Sequence, residues 1–407
     1  MQKGIYNMCS ICGGTIFDKN ALDVFHLAQD RGRDYSNLFY RNGSWICNHR
    51  AVPTTEIENS EYNQPFGTDY KVVHNGTIAN DKELGNKDGN IDSSVLPKVL
   101  DFTSASGLAE SLDKVKGSYA IAVMKPNGRF MIACNYKPIF YKKENDLFLF
   151  SSYLEHFSDK SGVKRLEPYS VYDEENETYA SIKRKKHDRA LVICSGGLDS
   201  TAVAAYASKS HKECKLIHFQ YGCIAETKET ECIKKIAEKL KCDYDIIPLN
   251  YNFAKNSSRL FGDEKDISDS IEGAEYANEW VPARNLVMLS IAVAYAEANE
   301  YSYIYLGTNL EEGGAYPDNE QQFIKDFNSC LYGAVQNGNY VEIRTPVGNL
   351  MKHEIVKFGR EYGAPFENTW SCYRAGEKPC RKCGPCFMRE TAFKRNGLVD
   401  PLIKGED

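Results

Sequence analysis

Ala190-Leu-Val-Ile-Cys194, then Ser195-Gly-Gly-Leu-Asp199-Ser-Thr201, then Ala202-Val-Ala-Ala-Tyr-Ala207 is the stretch whose reading decides the fold. The first block is apolar, partly β-branched and bounded by small polar residues, which reads as a buried parallel strand. The last block is a good helix former. A strand, a glycine turn and a helix in that order aim backbone N–H groups and a helix N-terminus at an anion. Gly196 and Gly197 let the backbone approach a phosphate closely. Ser195, Ser200 and Thr201 add hydroxyl donors, and Asp199 either caps the helix or holds a magnesium ion. An ordinary strand-to-helix turn uses the same residue types. The spacing and the surrounding order of elements favour the phosphate-binding reading. Gly-x-x-x-x-Gly-Lys-Ser/Thr is missing, so this is not a Walker-type loop.

Downstream, strands and helices alternate. Residues 215–221, 244–249 and 303–307 read as strands, and 228–239, 285–298 and 351–362 as helices. In the 228–239 helix, Ile233, Ile236, Ala237 and Leu240 share one face. The pattern predicts a doubly wound parallel sheet with ligands at the carboxyl ends of its strands. Ser195, Tyr221-Gly222 and Gly307-Thr-Asn309 all fall at such ends. Further on, Cys372, Cys380, Cys383 and Cys386 place four thiols within a short segment. Two Cys-x-x-Cys steps plus an upstream cysteine fit a closed tetrahedral zinc site. Such a site has no position for water and is structural. An iron–sulfur cluster is the competing ligand.

The first half lacks this alternation. Short strands at 44–47, 71–74, 119–124, 130–134 and 147–150 with a few helices predict stacked antiparallel sheets of α+β type. Met8-Cys9 adds a chemical hint. If Cys9 becomes the first residue, its α-amine can serve as base for its own thiol; a buried structural cysteine is the alternative. The totals set the frame. A chain of 407 residues predicts two domains or three. A net charge of −6 gives no basic nucleic-acid-binding surface. The run Lys183-Arg-Lys-Lys-His187 reads as a solvated linker. No signal peptide or membrane-length apolar segment stands out. The 14 cysteines are therefore expected as cytoplasmic thiols, metal ligands or nucleophiles. We place the domain boundary near Lys186, giving domains 1–186 and 187–407.

Two resemblances sharpen this reading. Ser195-Gly-Gly-Leu-Asp-Ser-Thr201 resembles the pyrophosphate-binding loop of the N-type ATP pyrophosphatases, which adenylate a carbonyl or carboxylate oxygen before a nucleophile displaces AMP. Within that group, Val281-Pro-Ala-Arg284-Asn285, Tyr316-Pro-Asp318, Glu342-Ile-Arg-Thr-Pro346, Lys352-His-Glu354-Ile-Val and the Trp370-Ser-Cys372 to Cys386 segment look like the 7-cyano-7-deazaguanine synthases. This resemblance covers residues 190 to 395. It implies an α/β doubly wound domain, adenine nucleotide alpha hydrolase-like, with a zinc knuckle at Cys372, Cys380, Cys383 and Cys386. ATP, taken with Mg2+, would be handled by Ser195, Gly196, Gly197, Asp199, Ser200, Thr201 and Arg284. A 7-deazaguanine would be met by Tyr221, Asn309, Tyr316 and Asp318. Two segments depart from the family. Tyr221-Gly-Cys-Ile-Ala225 replaces Tyr-Gly-Gln-Arg-His, and Tyr316-Pro-Asp-Asn-Glu320 replaces Tyr-Pro-Asp-Cys-Arg, reversing a charge.

In the first half, Cys9, Arg31-Gly-Arg-Asp34, His49-Arg50, His74-Asn75-Gly76-Thr-Ile-Ala-Asn80, Asp92-Ser-Ser-Val95, Lys116-Gly-Ser-Tyr119 and Tyr136-Lys-Pro-Ile-Phe-Tyr141 together resemble the class II glutamine amidotransferase domain. This resemblance covers residues 8 to 180 and implies an N-terminal-nucleophile αββα sandwich. Cys9 would be the nucleophile, with the Asn75 side chain and the Gly76 N–H as the oxyanion hole. Arg50 would hold the glutamine α-carboxylate and Asp92 its α-ammonium. Together the resemblances imply an ATP-dependent ligase. It would adenylate 7-carboxy- or 7-cyano-7-deazaguanine and aminate it with glutamine-derived ammonia, to a nitrile or an amidine. The alternative is conjugation to another amine, such as a protein partner, with the first domain as a binding module. The expected partners are glutamine, ATP and the 7-deazaguanine. No membrane or direct nucleic-acid contact is expected, and a homodimer is left open.

Overall fold

The computed structural model describes residues 9–52, 62–87, 91–267, 269, 279–313 and 316–403. The chain divides into two compact units, 1–185 with 336–338, and 186–335 with 339–407.

The front unit begins with β1 (Ser10–Gly14), α1 (Lys19–Gln29), β2 (Tyr35–Arg41), β3 (Ser44–Arg50) and β4 (Lys71–Ile78). It continues with α2 (Leu96–Val99), α3 (Ala105–Leu112), β5 (Gly117–Met124), β6 (Phe130–Cys134) and β7 (Phe140–Glu144). It ends with β8 (Leu147–Ser151), β9 (Lys164–Arg165), β10 (Ser170–Asp173) and β11 (Thr178–Ser181). Two antiparallel sheets result, ordered β2-β3-β1-β8-β7-β9 and β11-β10-β6-β5-β4. Alternate residues point to opposite faces of a strand, so Ile11, Ile46, Phe148 and Phe150 of the first sheet can pack on Val73, Ala120, Ala122 and Ile132 of the second. The other face of the first sheet, with Cys12, Trp45, Cys47 and Leu149, is covered by Ala21, Val24 and Ala28 of α1. Helix α1 starts where the Asp18 carboxylate accepts the Ala21 N–H. Helix α3 lies against β10 and β11. The layering is therefore helix, sheet, sheet, helix.

The rear unit runs β12 (Arg189–Ile193), α4 (Leu198–Ser210), β13 (Glu213–Gln220), α5 (Glu226–Leu240), β14 (Asp243–Pro248), α6 (Arg284–Ala298) and β15 (Tyr303–Leu306). It is completed by α7 (Leu310–Gly313), α8 (Gln321–Ala334), β16 (Glu342–Arg344), α9 (Lys352–Glu361) and α10 (Gly384–Arg395). All pairings are parallel, and the strand order is β14-β13-β12-β15-β16. The order reverses between β12 and β15, which is where a doubly wound sheet opens a crevice at its carboxyl edge. Burial matches the sequence pattern. Ala190, Leu191 and Val192 are fully buried, and α5 buries Cys232, Ile233, Ile236 and Ala237.

The basic run at the boundary is mostly exposed, as a solvated linker would be. Two of its residues do more: Arg184 lies over the Tyr169 ring at 4.9 Å and Lys186 over Tyr340 at 4.0 Å.

Candidate active site

The crevice of the rear unit is a real cavity of about 220 Å³. Ser195, Gly197, Asp199, Ser200, Tyr221 and Arg284 line it, joined by His218, Cys223, Glu229, Glu312, Asn319, Lys352 and Tyr373. The loop after β12 is built from its own hydroxyls. The Ser200 hydroxyl accepts the Ser195 N–H at 3.2 Å, and the Ser195 hydroxyl accepts the Gly197 N–H at 3.3 Å. Gly196 has φ +81, a left-handed conformation that favours glycine. Its carbonyl accepts the Trp370 N–H at 2.8 Å, which ties the loop to the segment carrying the four cysteines. Gly307 is needed for a different reason. A Cβ there would lie 2.8 Å from the Ser200 backbone, so glycine lets the end of β15 close onto the start of α4.

Asp199 is not a helix cap. Helix α4 starts after Gly197, and the Asp199 carboxylate takes an ion pair from Lys352 at 3.1 Å and a hydrogen bond from the Asn309 amide at 3.3 Å, both on Oδ2. Its Oδ1 is buried and has no hydrogen-bond partner among the described residues. Burial raises the Asp199 pKa against the pull of Lys352. Lys352 also pairs with Glu312 at 3.2 Å. Burial pulls its pKa down, but the two carboxylates outweigh this and hold the ammonium charged. A buried carboxylate oxygen without a partner, on a residue that lines a phosphate-sized cavity, fits a hard, oxygen-preferring cation such as Mg2+.

Across the cavity, Arg284 donates to the Tyr221 hydroxyl at 3.1 Å. Burial pushes Glu229 up to about 7, against the opposing pull of Arg284. His218 is held neutral by burial. Its Nδ1 meets the Cys194 carbonyl at 3.1 Å, and its buried Nε2 has no hydrogen-bond partner among the described residues. Of the residues expected to meet the base, only Tyr221 lines the cavity. Asp318 accepts the Asn285 N–H at 3.0 Å, in the first turn of α6. Tyr316 stacks on Trp280 with an interplanar angle of 12°. Asn309 sits behind Asp199. Gly196 and Thr201 shape the loop rather than line the cavity, and Glu320, the reversed charge, is not among the lining residues either.

The four cysteines converge, with their sulfurs within 4.8 Å of one another. The Cys372 sulfur accepts the Arg374 and Cys380 N–H groups at 3.4 Å, and the Cys380 sulfur accepts the Cys383 N–H at 3.4 Å. Donors aimed at sulfur suit thiolates, and four crowded thiolates suit a tetrahedral cation. The segment is anchored from behind. Arg389 makes a buried bidentate pair with Asp400 at 2.7 and 3.0 Å and donates to the Thr369 hydroxyl at 2.6 Å.

In the front unit the expected residues group by sheet. Cys9 immediately precedes the Ser10–His49 pair that opens the β1–β3 ladder, and Arg50 immediately follows His49 at the end of β3. Arg31 donates to the Cys9 carbonyl at 3.2 Å and lies over the Tyr153 ring. Arg50 and Asn75 are buried. Gly76 has φ +152, and a Cβ there would lie 1.9 Å from the Ser118 carbonyl oxygen, so only glycine fits. Asp92 accepts the Ile78 N–H at 2.6 Å and the Ser93 N–H at 2.7 Å, which ties it to the end of the strand carrying Asn75. The expectation that Cys9 becomes the first residue rests on residues 1–8, outside the described residues.

Sequence reasoning gave no role to Lys352, Glu229, His218 or Lys137. Lys352 carried a signal, because a lysine opening a helix opposes the helix dipole and needs a compensating anion. Lys137 shows itself only in the fold. Burial and the Arg31 charge lower its pKa, and Cys9 acts the other way, which marks it as a cation near the thiol.

Comparison with known proteins gives two family matches, one in each unit. The family described as queuosine biosynthesis protein QueC matches residues 189–397. The one described as a glutamine amidotransferase domain matches 49–159, a range that holds Arg50, Asn75, Gly76 and Asp92 and begins after Cys9. The 7-cyano-7-deazaguanine synthase of Sulfolobus acidocaldarius is 43% identical over 97% of this chain and 99% of its own length. The 7-cyano-7-deazaguanine synthase 2 of Sulfurisphaera tokodaii is 40% identical with the same coverage. The synthase of Methanothrix thermoacetophila is 38% identical over 97% of its length but only 52% of this chain. A chain matched end to end at this identity, with the phosphate loop, the paired Asp199 and the four-cysteine cluster in one unit, belongs to the 7-cyano-7-deazaguanine synthase family and carries a glutamine amidotransferase domain.

Proposed function

We propose that the chain is a glutamine-dependent, ATP-dependent C–N ligase acting on a 7-deazaguanine. The observation that carries this reading is the rear cavity, which the phosphate loop, Asp199 with its buried unpartnered oxygen, and Arg284 line together. The loop N–H groups and the α4 N-terminus would bind the phosphates. Mg2+ bound with ATP would supply charge neutralisation at the phosphates, and Asp199 would hold it, with Lys352 fixing the carboxylate. The substrate carboxylate oxygen attacks the α-phosphorus, and pyrophosphate leaves. Ammonia then attacks the acyl carbon and AMP leaves, giving the amide. A second ATP activates the amide oxygen, and loss of AMP with the amide protons gives the nitrile. An amidine is the other product open to the chain: from a nitrile substrate, ammonia would add across the carbon–nitrogen triple bond with no adenylate and no leaving group.

In the front unit, the Cys9 thiolate would attack the glutamine side-chain amide and release ammonia. Water then frees glutamate from the thioester. Asn75 and the Gly76 N–H would stabilise the oxyanion, Arg50 would fork the α-carboxylate, and Asp92 would take the α-ammonium. Structural zinc would sit on Cys372, Cys380, Cys383 and Cys386. Transfer to a protein amine, with the front unit only binding, rests on no observation that the ligase reading lacks.

The test is incubation of the full chain with ATP, Mg2+, 7-carboxy-7-deazaguanine and amide-15N-glutamine. A 15N-labelled nitrile with release of AMP, pyrophosphate and glutamate is expected. AMP release with no labelled small molecule and a mass gain on a protein would overturn it in favour of conjugation. No AMP release would overturn the ligase reading altogether.

A further inference from the structure

We propose that Cys12, Cys47 and His49 form a second metal site, for one thiophilic closed-shell cation, Cu(I) or Zn(II), that staples β1 to β3. The site is made by strand register. Cys12 is the direct partner of Cys47, and His49 lies two residues further along β3, on the same face. All three side chains are fully buried. The Cys12 sulfur lies 3.7 Å from His49 Nε2. The Cys47 sulfur lies 3.7 Å from Nε2 and 4.0 Å from Nδ1. The three donor atoms fall within 4.8 Å of one another.

These separations are those of ligands sharing an ion. Metal–sulfur bonds of about 2.3 Å and metal–nitrogen bonds of about 2.0 Å, at angles from tetrahedral to trigonal, set sulfur and nitrogen roughly 3.6 Å apart. In the four-cysteine cluster, the Cys372 and Cys383 sulfurs are 4.0 Å apart. The imidazole is also oriented from behind. His49 Nδ1 is 2.8 Å from the Ser36 hydroxyl, the outer-shell bond that commonly fixes a ligating histidine and leaves Nε2 for the metal. The Phe25 ring packs on the imidazole at 4.7 Å, and Trp45, Phe157 and α1 close the rest. Two sulfurs and one imidazole in an apolar enclosure select a soft cation over Mg2+ or Ca2+.

On binding, each thiol gives its proton to solvent and no electrons move. The enclosure holds no room for substrate, so the role is structural. The staple fixes the strand ends that carry Cys9, three residues before Cys12, and Arg50, next to His49. Its existence does not depend on the glutaminase reading, because the readout is metal content.

The experiment uses the full chain produced in cells supplied with zinc or, in a separate arm, with copper, and washed with chelator. Metal per chain is measured for the wild type and for Cys47→Ala and Cys12→Ala. The wild type is expected to hold one more equivalent than either variant in at least one arm, with the four-cysteine cluster intact in all. Equal metal content in both arms would overturn the site, as would an intact mass lower by two hydrogens that maps to a Cys12–Cys47 disulfide. X-ray absorption of the wild type, at the edge of whichever metal supplies the extra equivalent, needs no variant. A mixed sulfur and nitrogen shell supports the site, and a sulfur shell without nitrogen overturns it.

Discussion

The two units solve the same problem, holding reactive groups in place, by different means. In the rear unit the groups stand on strand ends and in the first turns of helices around a cavity, and burial shifts their pKa values. Glu229 is pushed up to about 7, the Asp199 pKa is raised and the His218 pKa is lowered. In the front unit Arg50, Asn75 and Gly76 stand on strands, and backbone geometry sets their position. Cys9 and Arg50 flank the Ser10–His49 pair of the β1–β3 ladder, and Gly76 occupies a point where any side chain would strike Ser118. The rear site should therefore be the more sensitive to altered charge, and the front site to altered backbone.

The sharpest break between the units is Cys9→Ala. Glutamine-dependent product formation should vanish, while product formation from added ammonium salt should stay within about twofold of wild type, since separate sites act independently. Loss of the ammonia-dependent reaction as well would refute the division of labour. Next is Asp199→Asn, which keeps the shape and removes the charge. Pyrophosphate release should fall roughly 10²- to 10³-fold, the range for removing one electrostatic stabiliser, and glutamate release should be unchanged. Gly76→Ala probes the front unit's dependence on backbone. Forcing a Cβ against Ser118 should destabilise that unit by roughly 1–3 kcal/mol. Calorimetry should then show one transition lowered and the other unmoved.

The smallest effect concerns proton linkage. Glu229 moves from 4.5 to about 7 on folding because it is buried. Between these values the folded chain keeps a proton that the unfolded chain has released. The stability this provides is fully present below 4.5 and is lost as pH rises through about 7. Glu229→Gln should flatten that decline for the rear unit, measured as the change in its denaturant midpoint from about pH 5 to about pH 7. An unchanged pH slope would show that Glu229 is solvated in the cavity.

The rear unit was the more legible in sequence because its signals are local. Strand, loop and helix stand next to one another from Ala190 to Ala207, and the four cysteines lie within one segment. The Lys352 contact with Asp199 was harder to read, because it joins residues 153 apart through a helix docking that no local pattern encodes. In the front unit the spacing of Cys9, Arg50, Asn75 and Asp92 has no periodicity of its own. Family resemblance brought those residues together, and the β1–β3 register brings the chain segments of Cys9 and Arg50 to the same end of the sheet. The same register makes the Cys12, Cys47 and His49 cluster, whose members are scattered over 38 residues and look in sequence like ordinary buried thiols and a strand histidine.

One hydrogen bond described above sets the order in which this protein should fail. The Trp370 N–H holds the Gly196 carbonyl, and Trp370 stands two residues before the first cysteine of the four-thiol cluster. A chain in which the four thiols are oxidised, or lose an ion they would hold, is expected to slacken this tether before its parallel sheet loosens. ATP consumption should then stop while the bulk of the fold survives, so a damaged molecule would fall silent instead of wasting nucleotide, and restoring the thiols or their ion would recover it without refolding.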